Sequence, residues 1–246
     1  MRQRRRVTVV APTVVAGWSI DWISGETGFW QAQGETVGAL ATIADRGTLG
    51  ADWVQATGGK QPSAVATGGP LDGPRIRFAG GDVVAIAGDP LGAFTESHAF
   101  VVLKVDKDPA LDSDHAQPWT MGTGIAALIP FTTGIVYENW GSGIARGTFA
   151  DPGTSLASWC VYEVTSVAPT GLKVFVNGSQ VGATAFAGTN TVNFPTTLYL
   201  GGIDATPTKD CLFDVAEILQ ADHVLTTAER LAYVAHLLAD YGIVVA

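Results

Sequence analysis

The side chains of this 246-residue chain that could carry chemistry are 23 carboxylates, four histidines, two cysteines and seven tryptophans. Cleaving a glycosidic bond takes two carboxylates held roughly 5–9 Å apart across it. The arrangement that comes closest to such a catalytic pair on a strand-like segment is Asp214-x-x-Glu217. An offset of three residues puts two side chains on opposite faces of a regular strand. The histidines (His98, His115, His223 and His236) are scattered, with no two at close ligand spacing. His236 falls on a C-terminal helix pattern as a surface or helix-packing residue. There is no Gly-x-Ser-x-Gly elbow, no phosphate-cradling loop leading into a helix and no Cys–His signature. Cys160 and Cys211 make no zinc or disulfide-framework pattern, and both lie on strand-like segments where they either pair or sit as small buried hydrophobes. On this inventory the chain is expected not to be an enzyme.

Recognition of a saccharide takes a different set, an aromatic platform beside amide and carboxylate groups. Residues 137–141 (YENWG) supply it, and alternation places Tyr137 and Asn139 on one face, Glu138 and Trp140 on the other. Tyr137, Asn139 and Trp140 are therefore candidate glycan contacts. Trp119 is another, following the polar loop 108–118 that carries Asp112, Asp114 and His115. The competing reading packs one aromatic into the core and spreads the rest over a sheet surface. A last group is ionic. The net charge is −9, with 14 basic and 23 acidic residues, yet Arg2, Arg4, Arg5 and Arg6 crowd the first six positions. Everything after residue 6 carries ten basic residues and a charge of −13. Such a body repels nucleic acid. Four guanidiniums can pair bidentately with carboxylates, so the arm is expected to dock on an acidic neighbour.

The elements that must position these groups read as strands. Hydrophobic residues make up 47% of the chain and charged residues only 15%, which excludes disorder, and 30 glycines speak against a helical bundle. One large domain of sandwich or barrel size fits the length. No run of 18 apolar residues suggests a membrane helix. The start resembles a signal peptide, but Thr8, Pro12 and Thr13 interrupt its apolar run. Gly25 and Gly28 read as turn residues in a tryptophan-rich lead-in, and 45–50 (DRGTLG) reads as a turn. The run 98–107 (HAFVVLKVDK) suits a strand buried on both faces. Asn177-Gly178 between apolar runs predicts a type I′ hairpin. About twelve short strands emerge in all. At the C-terminus, Thr226 and Glu229 form a capping box, Leu231, Val234, Leu238 and Tyr241 share one helical face, and Gly242 closes the helix. One helix on a strand-rich body predicts docking at an edge or end of a sandwich.

Several segments resemble, in order, the concanavalin A-like, laminin-G-like jelly rolls. They are 45–62 (DRGTLGADWVQATGGKQP), 75–80 (RIRFAG), 98–104 (HAFVVLK), 171–182 (GLKVFVNGSQVG), 198–202 (LYLGG), 213–219 (FDVAEIL) and 225–243. The resemblance spans roughly residues 40–245. It implies an all-β antiparallel jelly-roll sandwich over 41–246 with one short C-terminal helix, preceded by a basic arm and tryptophan-rich lead-in over 1–40. It also implies a concave sheet often used to bind glycans or proteins. Catalytic members carry Glu-x-Asp-x-x-Glu on a concave strand, which this chain lacks, and the resemblance gives Glu217 a structural hydrogen-bonding role. Calcium is common in such modules, which makes Asp112 and Asp114 weak metal candidates; no other cofactor is implied. Because these modules are frequent in bacteriophage virions, the expectation is a virion structural protein, a capsid decoration or tail-associated subunit. Its partners would be other virion subunits in a homo-oligomer or larger assembly. The alternative is a secreted or surface lectin-like carbohydrate-binding module.

Overall fold

The two longest apolar runs become central strands. A computed structural model of the protein describes residues 27–86, 94–106, 117–122, 125–131, 134–141, 146–153, 156–167, 171–184, 197–201 and 212–245. Among these, the first strands are β1 (Thr27–Gln31), β2 (Gly38–Ala39), β3 (Thr42–Ile43), β4 (Trp53–Val54), β5 (Ser63–Val65) and β6 (Arg75–Ala79). Then come β7 (Val84–Ile86), β8 (Glu96–Val105), β9 (Trp119–Met121), β10 (Ile125–Ala126), β11 (Val136–Glu138) and β12 (Gly147–Phe149). The last are β13 (Cys160–Val167), β14 (Gly171–Val176), β15 (Ser179–Thr184), β16 (Leu198–Leu200) and β17 (Leu212–Ala221), followed by helix α1 (Thr227–Asp240). None of the described helices is long and apolar enough to cross a membrane.

All described pairings are antiparallel, in a nine-stranded sheet ordered β15-β14-β13-β8-β17-β6-β5-β2 with β1 also on β17, a six-stranded sheet ordered β10-β9-β16-β7-β4-β3, and the hairpin β11-β12. The architecture is the expected all-β sandwich. Between the sheets lies the main core, which includes Trp53, Trp119, Trp140, Tyr162 and the stacked pair Phe78–Phe213 (ring centroids 4.4 Å apart). A second core lies on the other face of the nine-stranded sheet, where Phe100, Val102, Val161 and Leu219 meet Tyr233, Val234 and Leu237 of α1. The two cores explain why β8 is buried on both faces, as its sequence predicts.

Several expectations are corrected by this packing. The helix covers a sheet face instead of an edge or end. Its buried residues are Tyr233, Val234 and Leu237, whereas Leu231 is 50% exposed. Residues 27–39, expected in the lead-in, supply β1 and β2 to the nine-stranded sheet. Gly28, expected in a turn, is a strand residue paired with Gln220, and the Trp30 ring lies where its β-carbon would be. The predicted capping box is present, with Thr226 Oγ1 accepting from Glu229 N and Glu229 Oε2 accepting from Thr226 N at 2.8 Å. So is the Asn177-Gly178 turn, where both residues have positive φ.

The offset argument about Asp214 and Glu217 fails for a physical reason. The register between β17 and β8 shifts between Val215 and Glu217, a bulge that adds Ala216. Phe213, Val215 and Ile218 point into the main core, so Asp214 and Glu217 both emerge on the helix-side face. There they do different work. Asp214 pairs with Arg75 and Arg77, while Glu217 accepts from Gln31 Nε2 (2.7 Å), Tyr233 OH (2.6 Å) and Tyr241 OH (2.8 Å). The bulge also divides one edge of β17 between two partners, β6 along Leu212–Val215 and β1 along Glu217–Ala221. The Ala216 carbonyl is taken by Ala32 N at 2.9 Å. Glu217 thus holds together β1, β17 and α1, consistent with the structural role expected of it.

Candidate functional site

The segment 137–141 sits where the hairpin β11-β12 meets the sandwich, and a buried carboxylate organises it. Glu138 is wholly buried. Its Oε1 accepts from Trp119 Nε1 (2.9 Å), Asn139 N (2.8 Å) and Trp140 N (2.8 Å), and its Oε2 accepts from Tyr162 OH (2.7 Å). Burial pushes the Glu138 carboxyl above its ordinary value, and these donors pull the other way. Burial, with Glu138 adjacent, pushes the Tyr162 phenol well above its usual range, which keeps it a donor. Trp140 Nε1 donates to Gln220 Oε1 (2.6 Å), and Ser166 Oγ donates to the Trp140 carbonyl. Trp119 packs edge-on against Trp140, ring centroids 5.3 Å apart. The result is a buried polar network inside the main core, centred on Glu138.

From that base one side chain turns outward. Val136 and Glu138 point inward, and Tyr137 between them is half-buried. Tyr137 exchanges backbone hydrogen bonds with Leu128 (2.8 and 3.0 Å) and stands opposite Thr148 of β12. Its ring meets Phe131 edge-on (5.0 Å), and the guanidinium carbon of exposed Arg146 lies 5.0 Å from the ring centroid. Arg146 Nη1 also reaches the Ala126 carbonyl of β10, at 3.5 Å. Gly134, at φ +81°, closes the turn between Phe131 and Tyr137, where a side chain would collide with Asp151.

The same face continues across the six-stranded sheet. Cross-strand register aligns Ala126, Thr120, Tyr199, Ala85, Val54 and Thr42 in one row, one residue per strand. Tyr199 and Ala85 are half-buried and Val54 and Thr42 exposed, while Ala126 and Thr120 are covered. The face therefore offers two open stretches, one at Tyr137, Arg146 and Thr148 and one centred on Tyr199.

Of the four predicted saccharide contacts, only Tyr137 reaches solvent. Trp119, Asn139 and Trp140 are buried, a correction with a clear cause: Glu138 accepts from the Trp119 indole and from the Asn139 and Trp140 backbone N–H groups and draws these segments into the core. Alternation beyond Tyr137 also fails, since Glu138, Asn139 and Trp140 are all buried. Cys160 is a free, buried thiol, its pKa pushed up to about 12 by burial, and Cys211 lies outside the described residues. Arg2, Arg4, Arg5, Arg6, Asp112 and Asp114 also lie outside them. Asp106, next to that acidic loop, pairs with Arg77 and lies 3.9 Å from Lys104. Sequence reasoning missed Arg146 and Tyr199. Tyr199 had a signal, the apolar–polar–apolar pattern of LYL; Arg146, at the edge of a glycine-rich turn, had none.

No protein-family model matches the chain, and no curated protein matches it. Solved structures do. A Trypanosoma rangeli sialidase in complex with sialic acid matches 87% of the chain with a TM-score of 0.59 and 14% identity, covering 33% of the sialidase. The botulinum neurotoxin serotype D binding domain matches over 87% with a TM-score of 0.58 and 11% identity, covering 51% of that domain. The same serotype's ligand-binding domain in complex with N-acetylneuraminic acid gives a TM-score of 0.58 at 10% identity. The chain thus spans a third to a half of these proteins, and at such identity the likeness is one of fold. It corrects the expectation that the chain is not an enzyme, because sialidase chains contain this architecture. It lends no support to a virion protein.

Proposed function

We propose that the chain is a carbohydrate-binding β-sandwich module whose sugar contact is the Tyr137–Arg146 end of the outer face, and that its ligand carries a carboxylate. The observation behind this is the half-buried Tyr137 ring with the Arg146 guanidinium over it, on a hairpin whose base is the buried Glu138 network. An aromatic face takes the apolar face of a sugar ring, and an arginine fork pairs with a planar carboxylate. Preorganisation at the base lowers the entropy lost on binding. Support for this choice of ligand class comes from a sialidase and a neurotoxin ligand-binding domain whose chains include this fold and which are solved in complex with sialic acid.

The test is titration calorimetry with N-acetylneuraminic acid and with sialyllactose, using lactose as the uncharged control. Tyr137→Ala and Arg146→Ala should each weaken binding by about tenfold or more, the worth of a lost charge-assisted contact. Lactose should bind about tenfold less well than sialyllactose. Heat flow absent for every sugar, or unchanged in both variants, would sink the assignment.

A second reading, a subunit of a virion docked through Arg2, Arg4, Arg5 and Arg6, rests on the sequence of the arm. Native material that sediments with a large particle, and loses that association when residues 1–6 are deleted, would support it. Sedimentation as a lone monomer would count against it.

A further inference from the structure

A separate polar cluster lies on the far side of the nine-stranded sheet, under the start of α1, and nothing in saccharide binding uses it. His98 of β8 is wholly buried, its ring stacked on Phe100 at 4.3 Å. Its Nε2 lies 2.8 Å from Glu163 Oε1 of β13, and its Nδ1 lies 3.2 Å from Leu225 N, the residue before the helix cap. Both contacts dictate where the proton sits. Arg230 of α1 donates from Nε to Glu163 Oε1 and from Nη2 to Oε2 (2.9 Å), so both Glu163 oxygens are acceptors and His98 Nε2 must donate to Oε1. Leu225 N–H can only donate, so Nδ1 must be the bare acceptor. His98 is therefore the neutral Nε2–H tautomer, committed on both sides.

The charged and titratable groups around it are Glu163 from β13, Arg230 from α1, Glu96 on its own strand, and Asp222 and His223 from the turn leaving β17. Glu96 accepts from Val224 N (3.2 Å), tying down the same connector. Glu163 favours an imidazolium. Burial, Arg230 and His223 oppose it, and together they hold the His98 pKa below the ordinary value of 6.5. A proton added from solvent can enter only at Nδ1, where it meets the Leu225 N–H donor to donor. His98 itself is fixed by ladder pairing to Thr165 and Ala221. The part able to yield is the connector at Leu225 and the first turn of α1.

We propose that His98 is an acid-sensitive latch: protonation of Nδ1 displaces the Leu225 N–H and releases the N-terminal turn of α1 from the nine-stranded sheet. Release opens the apolar surface of Phe100, Val161 and Leu219 beneath the helix. Tyr233 and Tyr241 hold the later turns of α1 to Glu217 (2.6 and 2.8 Å), so the opening is local to the start of the helix.

The experiment is amide hydrogen exchange on the whole chain, corrected for intrinsic rates, between about pH 7.5 and about pH 5. Protection at Leu225, Thr226, Glu229 and Arg230, whose amides have acceptors here, should fall about tenfold or more while β13 keeps its protection. His98→Gln offers a donor and an acceptor without a titrating ring, and should abolish the step. In the wild-type chain, imidazole nitrogen shifts should report the Nε2–H tautomer at neutral pH, with His98 protonating over the same interval in which protection is lost. Unchanged protection in the wild type, an equal step in His98→Gln, or an Nδ1–H tautomer at neutral pH would each overturn the latch. The shifts decide the matter alone if His98→Gln does not fold. Saccharide binding at Tyr137 is read independently and stands or falls apart from this result.

Discussion

Glu138 is an ionisable group that water does not reach, and such a group persists in a core only when its oxygens are fully engaged. Two backbone N–H groups, an indole and a phenol converge on it from residues 119 to 162. Replacing it with glutamine keeps one oxygen for the three N–H donors but exchanges a carboxylate for a neutral amide whose NH2 forces the Tyr162 hydroxyl to accept. Glu138→Gln should destabilise the chain by about 2–4 kcal/mol, read as a lower urea midpoint with an unchanged slope. A loss under about 0.5 kcal/mol would mean that the carboxylate is not the hub described. Tyr162→Phe removes one donor and leaves three, so its loss should be smaller, about 1 kcal/mol. At Gly134 the limit is steric and conformational together. Gly134→Ala should cost about 1–2 kcal/mol and loosen Tyr137, visible as weaker binding at that end of the face.

At the level of elements, local signals and tertiary partners divide the work. Thr226 and Glu229 cap α1 using residues three apart, and the sequence alone identifies them. Thr226→Ala should remove about 1 kcal/mol, seen in thermal unfolding. Which face of α1 is buried depends on residues far away. Arg230 reaches Glu163 and the Gly178 carbonyl, and Tyr233 and Tyr241 reach Glu217. Those anchors rotate Leu231 into solvent, against the apolar spacing that would have buried it. Glu217→Gln should therefore raise exchange along both β1 and α1, because the carboxylate joins Gln31 to the two tyrosines. If only α1 loosened, the link to β1 would be unimportant.

Across the whole molecule, buried titrating groups set how stability varies with pH. His98 has a folded pKa below 6.5, so the unfolded chain takes up its proton first and stability falls as pH drops below that value. The Glu138 and Glu217 carboxyls lie above their ordinary 4.5 when folded. There the folded chain binds the proton first, and stability falls as pH rises through the interval above 4.5. The histidine and the two glutamates therefore act with opposite sign. His236 is also held below 6.5 by burial, so urea unfolding across pH should show His98→Gln with a shallower acid-side decline below about pH 6.5 than the wild type. Identical acid limbs in both proteins would remove His98 from the account.

The sequence by itself determined what depends on neighbours along the chain: an all-β class, the Asn177-Gly178 hairpin, the Thr226–Glu229 cap, a doubly buried β8 and the acidic charge of everything after residue 6. Only the tertiary structure decided which aromatic of 137–141 meets solvent, how an added Ala216 turns Asp214 and Glu217 to one face, and where His98 directs its two nitrogens. Alternation reveals that a strand has two unlike faces, but both faces of the nine-stranded sheet are covered, one by the opposing sheet and one in part by a helix. Register and polar partners between residues as distant as Gln31 and Glu217 settle the rest, and pairing at that range arises only once the sheets have packed.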